Sequence, residues 1–274
     1  MFFNKLKSWA KSAAGIVSIF LLIGSIFLLA LACSPWGNFT ERMANNINNI
    51  LFGLGTNLLG IIVTVSFVQF FLDRQTEKTE CAHEREKILR FDRVMQILIQ
   101  HYVMYFNTIT TPMDQRSGVS TTEIKQDFSF SDMKDLYLQS LFLRNKGYEP
   151  AITAFYDAEL ELRKYCIEFS SQIDFKYHQD LLSDLTQFVE TSLAFDVRNA
   201  VLGNMTLTVG DKKYTDVIQE YIGDQSHDWV AKIHNEKTNG NMMAPYVCLF
   251  DMLNLQKSLI TRYLIHIKAL KDEP

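Results

Sequence analysis

The sequence predicts an all-α protein with a two-helix transmembrane hairpin, a stalk helix and a cytosolic helical bundle that carries one candidate β-hairpin. Two long runs lack charged residues, at positions 12–40 and 44–72. A charged segment without glycine or proline follows, and apolar residues then recur every three or four positions, as in an amphipathic helix. The predicted regions are an N-terminal segment, the hairpin, the stalk with the first bundle helix, and the cytosolic domain: 1–11, 12–72, 73–107 and 108–274.

The two predicted spans cover residues 12–33 and 48–72. A hydrocarbon core of about 30 Å requires about 20 apolar residues, because each helical residue rises about 1.5 Å. The short connection contains Pro35 and Gly37, which end one helix and permit a reversal. The spans are therefore expected to be antiparallel neighbours.

The residues that flank the spans predict their orientation. Trp9 and Trp36 bracket the first span and are predicted interface anchors, because amphipathic rings favour the headgroup zone. Basic residues precede the first span and follow the second, whereas the loop has only Arg42 beside Glu41. Both termini are therefore expected in the cytoplasm. A cleaved lipoprotein signal before Cys33 is the alternative, but it fits less well, since alanine stands where a bulky aliphatic residue is usual.

Small and polar residues recur on one face of the second span at spacings of three and four, covering about one third of the circumference. This polar face consists of Asn45, Asn49, Gly53, Thr56, Asn57, Gly60 and Thr64. An amide inside an apolar run should face protein or water. Two uses stay open: helix packing, within the hairpin or between subunits, and the lining of a pore formed by several copies. The first span has a weaker stripe, made of Ala14, Ser18, Ser25 and Ala32.

The cytosolic part is predicted to consist of helices joined by loops. The second span is expected to continue as one helix to about residue 107, and residues 108–130 read as a long loop. Ser131 is a candidate helix cap, with Gly147 as the helix stop. Further helices are predicted at about 150–173, 178–202, 215–222, 226–235 and 245–270. Alternation around Gly210 predicts a small hairpin within residues 205–215.

Composition and motifs exclude several kinds of chemistry. The formal charge is −4, and the negative charge lies after residue 72, which disfavours nonspecific nucleic-acid binding. Four widely spaced cysteines suit reduced thiols. The sequence contains no phosphate-binding loop, nucleophile elbow or zinc motif. We therefore predict no catalytic residue, no metal and no cofactor.

Two pairs of cytosolic residues remain candidates for a site. Lys212 and Lys213 lie on the predicted hairpin, where they could contact a phosphate ligand or be solvated. Arg262 and His266 share a helix face, and the pair resembles that of HEPN-type ribonucleases. Those enzymes have four to six residues between the two, whereas this chain has three. A structural role near the helix C-terminus is therefore favoured over a membrane-anchored ribonuclease.

The overall layout resembles a class of bacterial phage-defence effectors, of the abortive-infection type, with two N-terminal spans, a charged stalk helix and a helical cytosolic sensor domain. The resemblance is one of layout, and no residue motif carries it. It implies a non-enzymatic protein of the inner membrane that oligomerises through its spans and disrupts or permeabilises the bilayer when triggered. The implied partners are lipid, further copies of the chain and a cytosolic ligand or protein. The alternative is a membrane-tethered binding module or scaffold whose spans only anchor it.

Overall fold

The computed structural model describes residues 13–34, 40–140, 142, 149–236 and 240–272. The predicted all-α fold with one small β-hairpin is confirmed. The chain divides into two compact units, of which the first ends at Glu80 and the second begins at Cys81. The predicted anchors Trp9 and Trp36 lie outside the described residues.

Two helices dominate the first unit. Helix α1 is Ala13–Ala32, and helix α2 runs without a break from Glu41 to Ile109. The continuation predicted to about residue 107 matches this end, since the charged segment contains good helix formers and no glycine or proline. Both helices are long and apolar enough to cross a membrane, and their most apolar windows are only 22% and 6% buried. A core helix of a soluble protein would bury most of that window.

The second unit contains α2 from Cys81 onward and all the remaining elements. The helices are α3 Ala151–Gln172, α4 Gln179–Ala194, α5 Arg198–Gly203, α6 Tyr214–Gly223, α7 Trp229–Glu236 and α8 Ala244–Asp272. The strands are β1 Thr208–Val209 and β2 Lys212–Lys213, which pair antiparallel. The single helix predicted at 178–202 is divided into α4 and α5. Asp196 accepts a hydrogen bond from the backbone amide of Arg198 at 3.2 Å, and this local turn replaces the helical bond.

The helix predicted from Ser131 is wrong. The chain instead forms a 3-10 turn at Phe130–Met133, capped by Ser129. The backbone that follows pairs with residues 149–152: the amide of Ser140 donates to the carbonyl of Glu149, and the amide of Ala151 donates to that of Leu138, both at 2.9 Å. Backbone groups committed to these bonds are not available to a helix. Gly147, the expected helix stop, lies outside the residues that the structure describes.

The core of the second unit is built around aromatic rings from three helices. Tyr102 of α2, Phe155 of α3 and Phe188 of α4 are all buried. The ring centroid of Tyr102 lies 5.5 Å from that of Phe155 and 5.9 Å from that of Phe188. Contacts of this kind add to the free energy gained by burying the rings. This core fixes the positions of the buried polar side chains described below.

Candidate functional site

The contact between α1 and α2 is made by a glycine outside the polar face. The hydroxyl of Ser25 donates to the carbonyl of Gly55 at 2.7 Å, and Ser25 is fully buried. A Cβ atom on Gly55 would lie 2.8 Å from Cγ of Leu29, closer than packed side chains allow. Ser18 and Ala32 are buried on the same stripe of α1. The weaker stripe of the first span is therefore the packed face of this helix, and Gly55 is its partner.

The polar face of α2 points away from this contact. Asn49, Asn57 and Thr64 are exposed, and a Cβ atom on Gly53 or Gly60 would meet no atom within 4 Å. At about 100° per residue, the polar face is centred about 140° around the helix from Gly55. Its residues therefore do not form the packing surface between the two helices.

The hydroxyls of the polar face are satisfied by their own helix. Thr56 donates to the carbonyl of Phe52 at 2.9 Å, and Thr64 donates to the carbonyl of Gly60 at 2.9 Å. Such bonds to the preceding turn are usual for threonine in a helix. These hydroxyls therefore require no partner from another molecule.

The side-chain amide of Asn57 has no such bond. Within the part of the chain that the structure describes, Asn57 is exposed and makes no side-chain hydrogen bond, and the same holds for Asn49. Its neighbours three positions before and four positions after it on the helix, Leu54 and Ile61, are exposed apolar side chains. An amide carries two donors and one acceptor, and in an apolar medium an unpaired polar group costs about 2 kcal/mol or more. Asn57 is therefore the residue of the polar face that needs an external partner most.

The predicted pair Arg262 and His266 converges on a buried carboxylate. Nη2 of Arg262 lies 2.9 Å from one oxygen of Asp184, and Nδ1 of His266 lies 2.7 Å from the other. Asp184 is 3% exposed, and Arg262 also donates to Gln187 at 2.7 Å. The pair therefore joins α8 to α4 and compensates a buried charge. Asp184 was not predicted as part of this cluster, because it lies 82 positions from His266 in the sequence.

The small hairpin exposes the second candidate pair. The hairpin prediction is confirmed, and Gly210 takes a φ of +60° at its turn. Lys212 pairs with Glu220 at 3.0 Å, and both side chains are more than 60% exposed. Lys213 is exposed as well. Both lysines therefore lie at the surface, where an ion pair stabilises the fold little.

The segment between α2 and α3 forms two open grooves. One has a volume of about 360 Å³, with Asn107, Ser120 and Lys125 in its wall. The other has a volume of about 500 Å³, and Asp127 and Lys257 line it. The lysines of the grooves already have partners: Lys125 donates to the carbonyl of Thr110 at 2.7 Å, and Lys257 donates to the carbonyl of Gln126.

A buried arginine that was not predicted from the sequence holds this segment in place. Arg116 is 2% exposed, and its guanidinium donates to three backbone carbonyls, of Thr111 at 3.1 Å, Gln139 at 3.0 Å and Asp135 at 2.7 Å. Burial lowers the pKa of Arg116, and the charge of Asp135 opposes that shift. Arginine stays charged in proteins nonetheless.

Clustered metal ligands are absent from the described ranges, in which no three His, Cys, Asp or Glu residues could hold an ion. The features that stand out are therefore the polar face of α2, the buried ion pairs of the second unit and the grooves of the 107–132 segment. Comparison with protein-family models, with curated proteins and with solved structures finds no match for this chain.

Proposed function

We propose that the protein is a non-enzymatic membrane effector of the bacterial inner membrane, with both termini in the cytoplasm and a role in antiviral defence. In this proposal the spans of several copies associate through the polar face of α2, and the assembly permeabilises the bilayer. The second unit senses a cytosolic ligand or protein partner and controls that association.

The observation that carries the proposal is the exposed amide of Asn57 on a face that α1 leaves uncovered. In a bilayer, this amide must be paired by another protein or by water. A second copy of α2 can supply the partner. Gly53 and Gly60 have open space before them, and small residues of this kind allow two helix backbones to approach closely.

The composition of the spans supports permeabilisation over coupled transport. The α1 residues and the α2 segment 44–72 contain no Asp, Glu, Lys, Arg or His. Proton relays, voltage sensors and coupled transporters usually place ionisable groups inside the membrane. A polar face of amides, hydroxyls and glycines suits association or a water-lined path instead.

Substitution of the polar face is expected to abolish membrane damage. We expect Asn57→Leu and Gly60→Leu to remove depolarisation and restore colony counts, because the first deletes the hydrogen-bonding group and the second fills the space that a second helix would occupy. Each variant is induced as the full chain in a bacterial host, with and without phage challenge, and uptake of a potential-sensitive dye is followed.

Gly24→Leu is the matched control, since a Cβ atom on Gly24 also meets no atom within 4 Å but Gly24 lies on α1. It should remain as damaging as the native chain at equal expression. Native-like depolarisation by both α2 variants would contradict the proposal.

A membrane-tethered binding module is the alternative function, and the grooves of the 107–132 segment favour it. In that case an unrelated two-helix hairpin could replace residues 12–72 without loss of function. Polarised membranes under every condition, together with a functional hairpin replacement, would support this alternative, and partners of the grooves would then be sought.

A further inference from the structure

A buried chain of hydrogen bonds joins three helices in the second unit. The hydroxyl of Tyr102 on α2 donates to Oε1 of Gln256 on α8 at 2.7 Å. Nε2 of Gln256 donates to the hydroxyl of Ser192 on α4 at 2.8 Å. Burial raises the pKa of Glu159 on α3, and the hydroxyl of Ser192, at the end of this chain, lowers it. None of the four residues is more than 4% exposed.

The buried carboxylate of Glu159 has few hydrogen-bond donors or cations near it to compensate its charge. One of its oxygens, Oε1, has no hydrogen-bond partner within the described ranges. The nearest cation is Arg163, whose Nε lies 3.6 Å from Oε1, too far for a hydrogen bond. The neighbouring hydroxyl of Tyr156, which is 2% exposed, is also without a partner in that part of the chain. A charged carboxylate with so few donors is costly to bury.

The surrounding charges do not offset this cost. Burial raises the pKa of Glu159, whereas the hydroxyl of Ser192 and the charge of Arg163 lower it. Asp196, next to the α4–α5 turn, raises the pKa, and Arg198 of α5 lowers it. The net direction is upward. Burial raises the pKa values of three neighbours, Tyr102, Tyr156 and Cys166, and the charge of Glu159 raises them further.

We propose that Glu159 is a proton-binding site that controls the hydrogen bonding of Ser192 and, through it, the packing of the second unit. Ser192 has a single hydroxyl hydrogen, which it donates to the carbonyl of Phe188 at 2.9 Å. Protonated Glu159 leaves this bond intact and carries a hydrogen of its own to donate. When Glu159 releases its proton to solvent, the carboxylate competes for the Ser192 hydrogen and weakens the bond to Phe188.

The sign of the pH dependence follows from the raised pKa. The native state binds the proton of Glu159 more tightly than the unfolded state does. The stabilisation is therefore complete below the pKa of an unfolded glutamate and is lost as the pH rises through the native value. This inference concerns the second unit alone and stands even if the spans form no assembly.

Thermal unfolding of the full chain in detergent micelles tests the proposal. Circular dichroism from about pH 5 to about pH 8 should show the native midpoint falling by about 3 °C per pH unit across the titration. Glu159→Gln should remove that slope, because the amide does not titrate. Glu168→Gln is the matched control, since Glu168 is exposed on the same helix, and it should keep the native slope.

Infrared spectroscopy gives a second measurement that does not depend on the folding of Glu159→Gln. The native chain should show a protonated-carboxyl band that disappears as the pH rises. Ser192→Ala should move that disappearance to higher pH, because the ionised carboxylate loses a hydrogen-bond donor. Parallel slopes for the native chain and Glu159→Gln, or a titrating band unmoved by Ser192→Ala, would overturn the proposal.

Discussion

Replacement of Arg116 by methionine is expected to lower the free energy of unfolding of the second unit by about 3 kcal/mol. Methionine keeps most of the apolar stem but removes the donor to the carbonyls of Thr111, Asp135 and Gln139, of which that of Asp135 keeps the amide of Leu138 at 3.0 Å. Buried carbonyls that lose a charged partner bear the full cost of desolvation. The carboxylate of Asp135, which is 5% exposed, also loses the nearest compensating charge.

Denaturant unfolding of the full chain in micelles, followed by circular dichroism, measures this effect. Arg93→Met serves as the control, because Arg93 is exposed on α2, and it should unfold like the native chain. The free energy of unfolding of Arg116→Lys should lie between those of Arg116→Met and Arg93→Met. A single ammonium group retains the charge but cannot reproduce the planar guanidinium that donates to three carbonyls. Equal midpoints for Arg116→Met and Arg93→Met would show that the segment is held by other contacts.

Gly55→Leu is expected to disrupt the helical hairpin, at a cost of about 2 kcal/mol. Even the first side-chain atom would overlap Leu29, and it would lie 3.4 Å from the carbonyl of Ser25. Accommodating the larger side chain forces α1 and α2 apart and breaks the bond between Ser25 and Gly55. Unfolding in micelles by increasing SDS, followed by circular dichroism, should show an earlier transition of the hairpin.

The same substitution at Gly60 separates two kinds of helix contact. Gly60 faces open space, so Gly60→Leu should leave the SDS transition of the hairpin unchanged. In the proposed effector, Gly60→Leu impairs association between copies, whereas Gly55→Leu impairs each copy by itself. If both variants shifted the SDS transition equally, the assignment of Gly55 as the contact residue would be wrong.

The parts of the fold that were predicted correctly depend on local chemistry. Pro150 marks the start of α3, Gly210 forms the hairpin turn, and the charged segment after Leu72 continues the helix because nothing in it breaks one. Each of these features depends on residues close together in the sequence. The backbone preferences of these residues are therefore enough to predict where a helix begins or continues and where the chain turns.

The parts that were missed depend on distant residues. The region after Ser131 contains helix-forming residues, but Arg116 and the backbone of residues 149–152 draw its polar groups into other bonds. Likewise, the side of α2 on which α1 packs determines which glycine lies in the contact between them. The sequence of α2 alone does not show which side that is. The Ser18 and Ser25 stripe on α1 was the available signal, because it marks the face that has to be covered.

The contact between Ser25 and Gly55 has a practical consequence for separating the responses of the two units. It joins an uncharged hydroxyl to a backbone carbonyl, and no ionisable residue lies in α1 or in residues 44–72. The hairpin should therefore be indifferent to acidity and ionic strength. The second unit contains the buried Glu159, whose pKa is raised by burial, and its stability should depend on acidity. A titration of the intact protein therefore separates two responses, because a transition that moves with acidity reports on residues outside α1 and the 44–72 segment.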